Sequence, residues 1–102
     1  MKPLLGVIAG IVAAGIYTPA LAQDAHAARA LAATCFTCHG TEGRSVGGVP
    51  PSIAGQNKAM MLQSLKDFRD GKRPATIMHQ QAKGYTDAQL ELISGYFATV
   101  KP

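Results

Sequence analysis

The apolar positions of this 102-residue chain form one unbroken run near the start, followed by three amphipathic stretches. The first of these, DAHAARALAATCFTC at 24–38, holds neither Gly nor Pro and is dominated by alanine, so it predicts a helix with Asp24 as N-cap. Ala27, Leu31 and Cys35 fall at i, i+4 and i+8, a narrow stripe of mostly small residues suited to close approach by another helix. Gly40 stops it. The next segment, GTEGRSVGGVPPSIAGQ at 40–56, carries four glycines before Pro50–Pro51 and predicts irregular loop. NKAMMLQSLKDFRDG at 57–71 returns to helical period, with Asn57 as N-cap and Met61, Leu65 and Phe68 on one face. Gly71 and Pro74 end it, and HQQAK at 79–83 adds a short helical turn closing at Gly84.

The last helix is the best marked. Thr86 and Gln89 match a capping box, and Tyr85 with Leu90 matches a hydrophobic staple. Leu92, Tyr96 and Val100 predict its buried stripe, with Ile93 and Phe97 on the neighbouring row. No stretch alternates as a strand. The pattern predicts an all-α domain of three to four helices with long loops, and glycine-rich loops of this length in so small a domain imply that they wrap something.

The apolar run, LLGVIAGIVAAGIY at 4–17, follows Lys2 and ends in TPALA, with Ala20 and Ala22 as a small-x-small pair. Basic start, apolar stretch and small-residue end are the parts of a secretory signal peptide. The run's 14 residues fall short of the ~18 that a membrane span needs, so no stable membrane insertion is expected once the signal is removed. Residues 1–22 are therefore expected to be a signal peptide and 23–102 a single mature domain, exported in a bacterium to the periplasm.

That division changes the composition. Removing Lys2 leaves nine Lys and Arg against six Asp and Glu, a mature charge of 9 − 6 = +3. The basic residues are scattered without aromatic interleaving, which gives a nucleic-acid surface no support. Phe36, Phe68, Phe97, Tyr85 and Tyr96 are the only large aromatics left. A core this thin calls for a staple: disulfides, a metal or a cofactor.

The candidate staple is TCFTCHGTEG at 34–43, which holds both cysteines and a histidine after the second. Zinc would want four ligands, and His26 and His79 are far apart and unpaired. A dithiol redox motif belongs beside βαβ patterning, absent here, and a disulfide inside CxxC closes too small a loop to stabilise much. C-x-x-C-H is the attachment signature of c-type haem. Cysteines at i and i+3 project from one side of a helical turn, suited to two thioether bonds, and His39 follows as the proximal ligand of the iron. For the distal position the candidates are Met60, Met61, Met78, His26 and His79. Met61 belongs to a core face, Met60 lies off it, and His26 precedes the motif on the same helix. Met78 sits in the irregular stretch after Pro74, with His79 as its competitor and plain core packing as the alternative.

CFTCHGTEG, VPPSIAGQ, the region around Met78 and LISGYFATV together resemble class I cytochromes c over nearly the whole mature chain. TIMHQQAKGYTDAQ after FRDGKRPA is most similar to the haem subunit of flavocytochrome c sulfide dehydrogenases. The resemblance implies the small all-α cytochrome c fold around one covalent haem c, its first and last helices crossing. It implies Cys35 and Cys38 as thioether anchors, His39 as proximal and Met78 as distal ligand of the iron. It also implies that the Pro51 carbonyl orients the imidazole, that Ile53 packs against the ring, and that Ala27 stands at the helix crossing. The expected function is periplasmic single-haem electron transfer without substrate chemistry of its own, as the subunit that accepts electrons from a sulfide-oxidising flavoprotein. A free-standing carrier serving an oxidase or reductase is the alternative, and a haem sensor or peroxidase with an open distal site a third.

Overall fold

The computed structural model describes Gly15 and residues 20–102, and among these it contains helices, turns and loops but no strand. The expected signal peptide lies outside the described residues, apart from Gly15 and its last three positions. There the first helix, α1 (Ala20–Ala32), already begins. Asp24 is consequently interior to the helix and not its N-cap, because the alanine-rich run continues upstream of it. Among the described residues no helix is long and apolar enough to cross a membrane.

The helical path predicted to Cys38 is present but changes gauge. A 3-10 turn spans Ala33–Cys35, and α2 (Phe36–His39) follows without a break. Thr34 at this change donates its hydroxyl to the Leu31 carbonyl at 3.0 Å, the back-bonding by which hydroxyl residues disturb a regular helix. Tyr85 then donates to the same Thr34 oxygen at 2.7 Å, tying this turn to the entry of the last helix.

α3 (Lys58–Arg69) starts as expected, with the Asn57 side chain accepting from Met60 N at 3.1 Å. It buries Met61, with Leu65 packed beside it. α4 (Met78–Lys83) begins one residue earlier than the predicted turn, so Met78 is the first residue of a helix and does not lie in irregular chain. α5 (Asp87–Thr99) carries both bonds of the capping box: Gln89 N to Thr86 Oγ1 at 3.2 Å and Thr86 N to Gln89 Oε1 at 3.0 Å.

α4 packs on α3, α3 on α5 and α5 on α1. The core between them joins Ala32, Met61, Ile93 and Phe97, flanked by Phe36, Ile53, Tyr85 and Tyr96. Two buried rows differ from expectation. On α1 the inward residues are Ala28 and Ala32, while Ala27 is exposed. On α5 the buried row is Leu90, Ile93, Ser94 and Phe97, and Leu92, Tyr96 and Val100 are only half-buried. Ser94 fits because its hydroxyl donates to the Leu90 carbonyl at 2.8 Å, so its own polar group is paired.

Candidate functional site

Cys35, Cys38 and His39 occupy the segment that leads from the 3-10 turn through α2. Cys35 is half-buried against the core and Cys38 exposed, and both are free thiols. Burial pushes the Cys35 thiol above its ordinary value, with the neighbouring Cys38 adding a smaller push and a Thr34 hydrogen bond opposing it. A neutral, unpaired thiol beside an exposed one offers two sulfurs to an external group.

Directly after His39 the chain must reverse. Gly40 has φ +86, and a Cβ there would lie 2.0 Å from the Arg44 carbonyl oxygen, so only glycine fits. A second 3-10 turn, Thr41–Gly43, follows. Gly43, at φ +78, lies so close to Phe97 and Ile53 that a Cβ would approach both within 2.9 Å. Its carbonyl accepts from Ile53 N at 2.8 Å and from Ala54 N at 3.1 Å, which brings the 51–54 segment back over the motif.

That return places the Pro51 carbonyl 2.7 Å from His39 Nδ1. A carbonyl only accepts, so Nδ1 carries the proton and Nε2 keeps its lone pair for a metal. The carbonyl named by the resemblance thus makes the bond that fixes tautomer and ring orientation. Ile53 is half-buried beside Gly43 and Phe97.

The distal candidates separate by environment. Met61 is 5% exposed and belongs to the core, Met60 is 72% exposed on α3, and His26 is exposed on α1. Met78 and His79, at the start of α4, are both half-buried. His79 lines an open cleft of about 460 Å³ with Phe68, Arg69, Arg73 and Lys83, and its Nδ1 is buried without a partner. Met78, one residue earlier on the helix, does not line that cleft.

The residues fit a covalent haem. Two free sulfurs and an oriented imidazole stand on one turn, and Val46, Val49, Met60 and Ile77 leave large apolar side chains without cover. Among the described residues no three His, Cys, Asp or Glu side chains gather to hold a metal ion, so the zinc reading has no support. Two features beside the motif escaped the sequence reading. Arg29 on α1 pairs with Glu42 at 2.6 Å, and Phe36, between the cysteines, stacks edge-on to Phe97 at 6.1 Å. The G-x-x-G spacing after His39 was the available hint of a tight turn there.

Comparison with known proteins gives four findings. The cytochrome c family model matches residues 25–101. The cytochrome subunit of sulfide dehydrogenase of Chlorobaculum tepidum is 41% identical over 70 residues, covering 69% of this chain and 63% of that protein. Cytochrome c-554(548) of Halomonas halodenitrificans is 33% identical over 81 residues, covering 76% of this chain and 98% of that protein. Among solved structures, Acidithiobacillus ferrooxidans cytochrome c4 aligns with a TM-score of 0.60 at 37% identity, over 65% of this chain and 38% of its own. The chain therefore spans less than two thirds of the sulfide dehydrogenase subunit but nearly all of the Halomonas protein.

Proposed function

The chain belongs to the cytochrome c family, with Cys35, Cys38 and His39 as its CxxCH motif for haem c and iron, and from that membership we propose that it is a periplasmic electron-transfer protein, the haem subunit of a sulfide-oxidising flavoprotein. In this reading residues 1–22 are removed on export and 23–102 form the mature domain. When bound, haem c supplies a one-electron couple between ferrous and ferric iron. Cys35 and Cys38 hold it through thioethers, and His39 offers Nε2 while Pro51 holds Nδ1. Met78 offers its thioether from the start of α4, which favours the reduced state and suits a carrier. The chain itself has no substrate to transform; its residues set the potential and shield the iron from water.

The observation that carries the specific reading is the likeness to the C. tepidum subunit of sulfide dehydrogenase. One finding favours a second reading: the Halomonas cytochrome is matched over 98% of its length, as a free-standing carrier of one domain would be. The two differ in how they associate. A permanent subunit buries a larger, more apolar patch and resists salt, whereas a carrier docks transiently through charge. Val46, Val49 and Ile77 are exposed apolar residues suited to the first. Gel filtration of the native periplasmic protein at high salt, followed by spectra of the haem-containing peak, decides the matter. Flavin co-eluting with haem, and haem reduction on adding sulfide, is the expected result. Haem eluting alone at the size of a single small domain establishes the free carrier.

A further inference from the structure

The strongest unassigned feature is a polar clasp around the turn that carries His39. Arg29, on α1, reaches forward 13 residues to place its guanidinium nitrogen 2.6 Å from Glu42 Oε1. The same guanidinium lies 5.9 Å from the Phe36 ring centroid. Phe36 is three residues before His39 and Glu42 three after it, so one side chain grips the ligand's turn from both ends.

Glu42 is also unusual in its backbone. At φ +57 it is the one non-glycine residue with positive φ among the described residues. A side chain in that left-handed region is disfavoured, and it persists only where something else holds it. Here the turn's backbone bonds, Gly43 N to Gly40 O at 2.9 Å and Arg44 N to Thr41 O at 3.1 Å, flank it, and the pair with Arg29 is its side-chain contact.

Glu42 belongs to the turn whose next peptide anchors the returning chain. Gly40 N donates to Phe36 O at 3.0 Å, Gly43 N to Gly40 O at 2.9 Å, and the Gly43 carbonyl then receives Ile53 N and Ala54 N. Pro51, two residues before Ile53, completes the path by accepting from His39 Nδ1 at 2.7 Å. The route from Arg29 to the imidazole is thus Glu42, the Gly43 carbonyl, the 51–54 backbone and the Pro51 carbonyl.

We infer that Arg29 and Glu42 are positioning residues for the proximal histidine: their ion pair holds the Gly43 carbonyl, and through it the Pro51 carbonyl, in the place that makes His39 a basic ligand. The inference rests on His39 as the iron ligand of a covalent haem c. A strong Nδ1–H bond to a carbonyl raises the basicity of the other ring nitrogen, which stabilises ferric iron. Loosening the clasp weakens that bond and raises the potential. The pair is partly exposed, with side chains 57% and 24% accessible, so the effect is modest. It amounts to at most about a five-fold shift in the ferrous:ferric ratio at fixed poise, the ceiling that ion pairs at such exposure set.

The test uses the full haem-loaded protein and the variants Arg29→Gln, Glu42→Gln, Glu42→Gly and Arg29→Lys. Two quantities are read: the midpoint potential, and solvent exchange of the His39 Nδ1–H in the ferrous state by NMR. Arg29→Gln and Glu42→Gln should each raise the potential and accelerate exchange, and the double variant should add little, because both act on one path. Glu42→Gly relieves the backbone but lacks the carboxylate, and should behave like Glu42→Gln. Arg29→Lys keeps the charge and should recover most of the wild-type values. Wild-type potential and exchange in both glutamine variants, even with a lowered melting temperature, would make the pair a mere staple and overturn the inference. So would a Glu42→Gly variant indistinguishable from wild type. Haem that washes out of the denatured wild-type protein would instead refute the attachment itself, an outcome visible before any variant is made.

Discussion

Met61 and Met78 carry the same thioether into different surroundings. Met61 is enclosed by Ala32, Ile93 and Phe97, so its sulfur is spent on packing. Met78 opens α4 half-buried and away from the basic cleft that His79 lines. Met78→Ala is therefore expected to abolish the weak sulfur-to-iron charge-transfer band of the ferric protein and to lower its potential. Met61→Ala should keep the band and cost about 2–5 kcal/mol of stability, as large-to-small core changes do. The reverse pattern in ferric spectra and denaturant melts would make Met61 the ligand. At this scale the chemistry written in adjacent residues was legible: the cysteine spacing and the histidine after it carry their own geometry. The Arg29–Glu42 pair was not, because nothing in two charges 13 positions apart says that a tight turn will bring them together.

At the level of elements, the start of α5 concentrates local signals that need no tertiary context. Thr86 and Gln89 satisfy each other's backbone donors, and Thr86→Ala should destabilise the protein by about 1 kcal/mol in denaturant melts. Asp87, the first residue of the helix, faces the Arg69 guanidinium, which holds its carboxyl below the usual carboxylate range. Because the folded value is the lower one, its contribution is fully present above the unfolded value of about 3.9 and fades as pH falls through the folded value. Asp87→Asn should thus melt below wild type at neutral pH, and the two should converge in strong acid. Which face of a helix turns inward was harder to read. In α1 almost every position is alanine or another small residue, so Ala27 and Ala28 carry no contrast, and packing against α5 chose Ala28. In α5 two apolar rows compete, and the polar Ser94 hid the true one until its hydroxyl was seen bonded within the helix.

For the molecule as a whole, the balance between core and chain sets the expectation. The buried apolar residues among those described are eight, and four of them are alanines: Ala28, Ala32, Ala54 and Ala82. Alanine brings little apolar area, so among the described residues Met61, Leu90, Ile93 and Phe97 supply most of the apolar burial. Meanwhile Val46 and Val49, 95% and 89% exposed, hold apolar surface outside that core. Small domains bury a low fraction of their surface and lean on a staple, and the 40–56 loop that carries Val46 and Val49 is pinned to the fold at Gly43 and at Gly55 N to Phe97 O (2.8 Å). Changing Cys35 and Cys38 together to Ala removes the attachment points while leaving Ala32, Met61, Ile93 and Phe97 in place. The double variant, produced without haem, is expected to be largely unfolded, with weak helical circular dichroism and no cooperative thermal transition. A sharp melt with near-native helix content would mean that the four large side chains suffice, and that haem is a passenger on a domain that folds by itself.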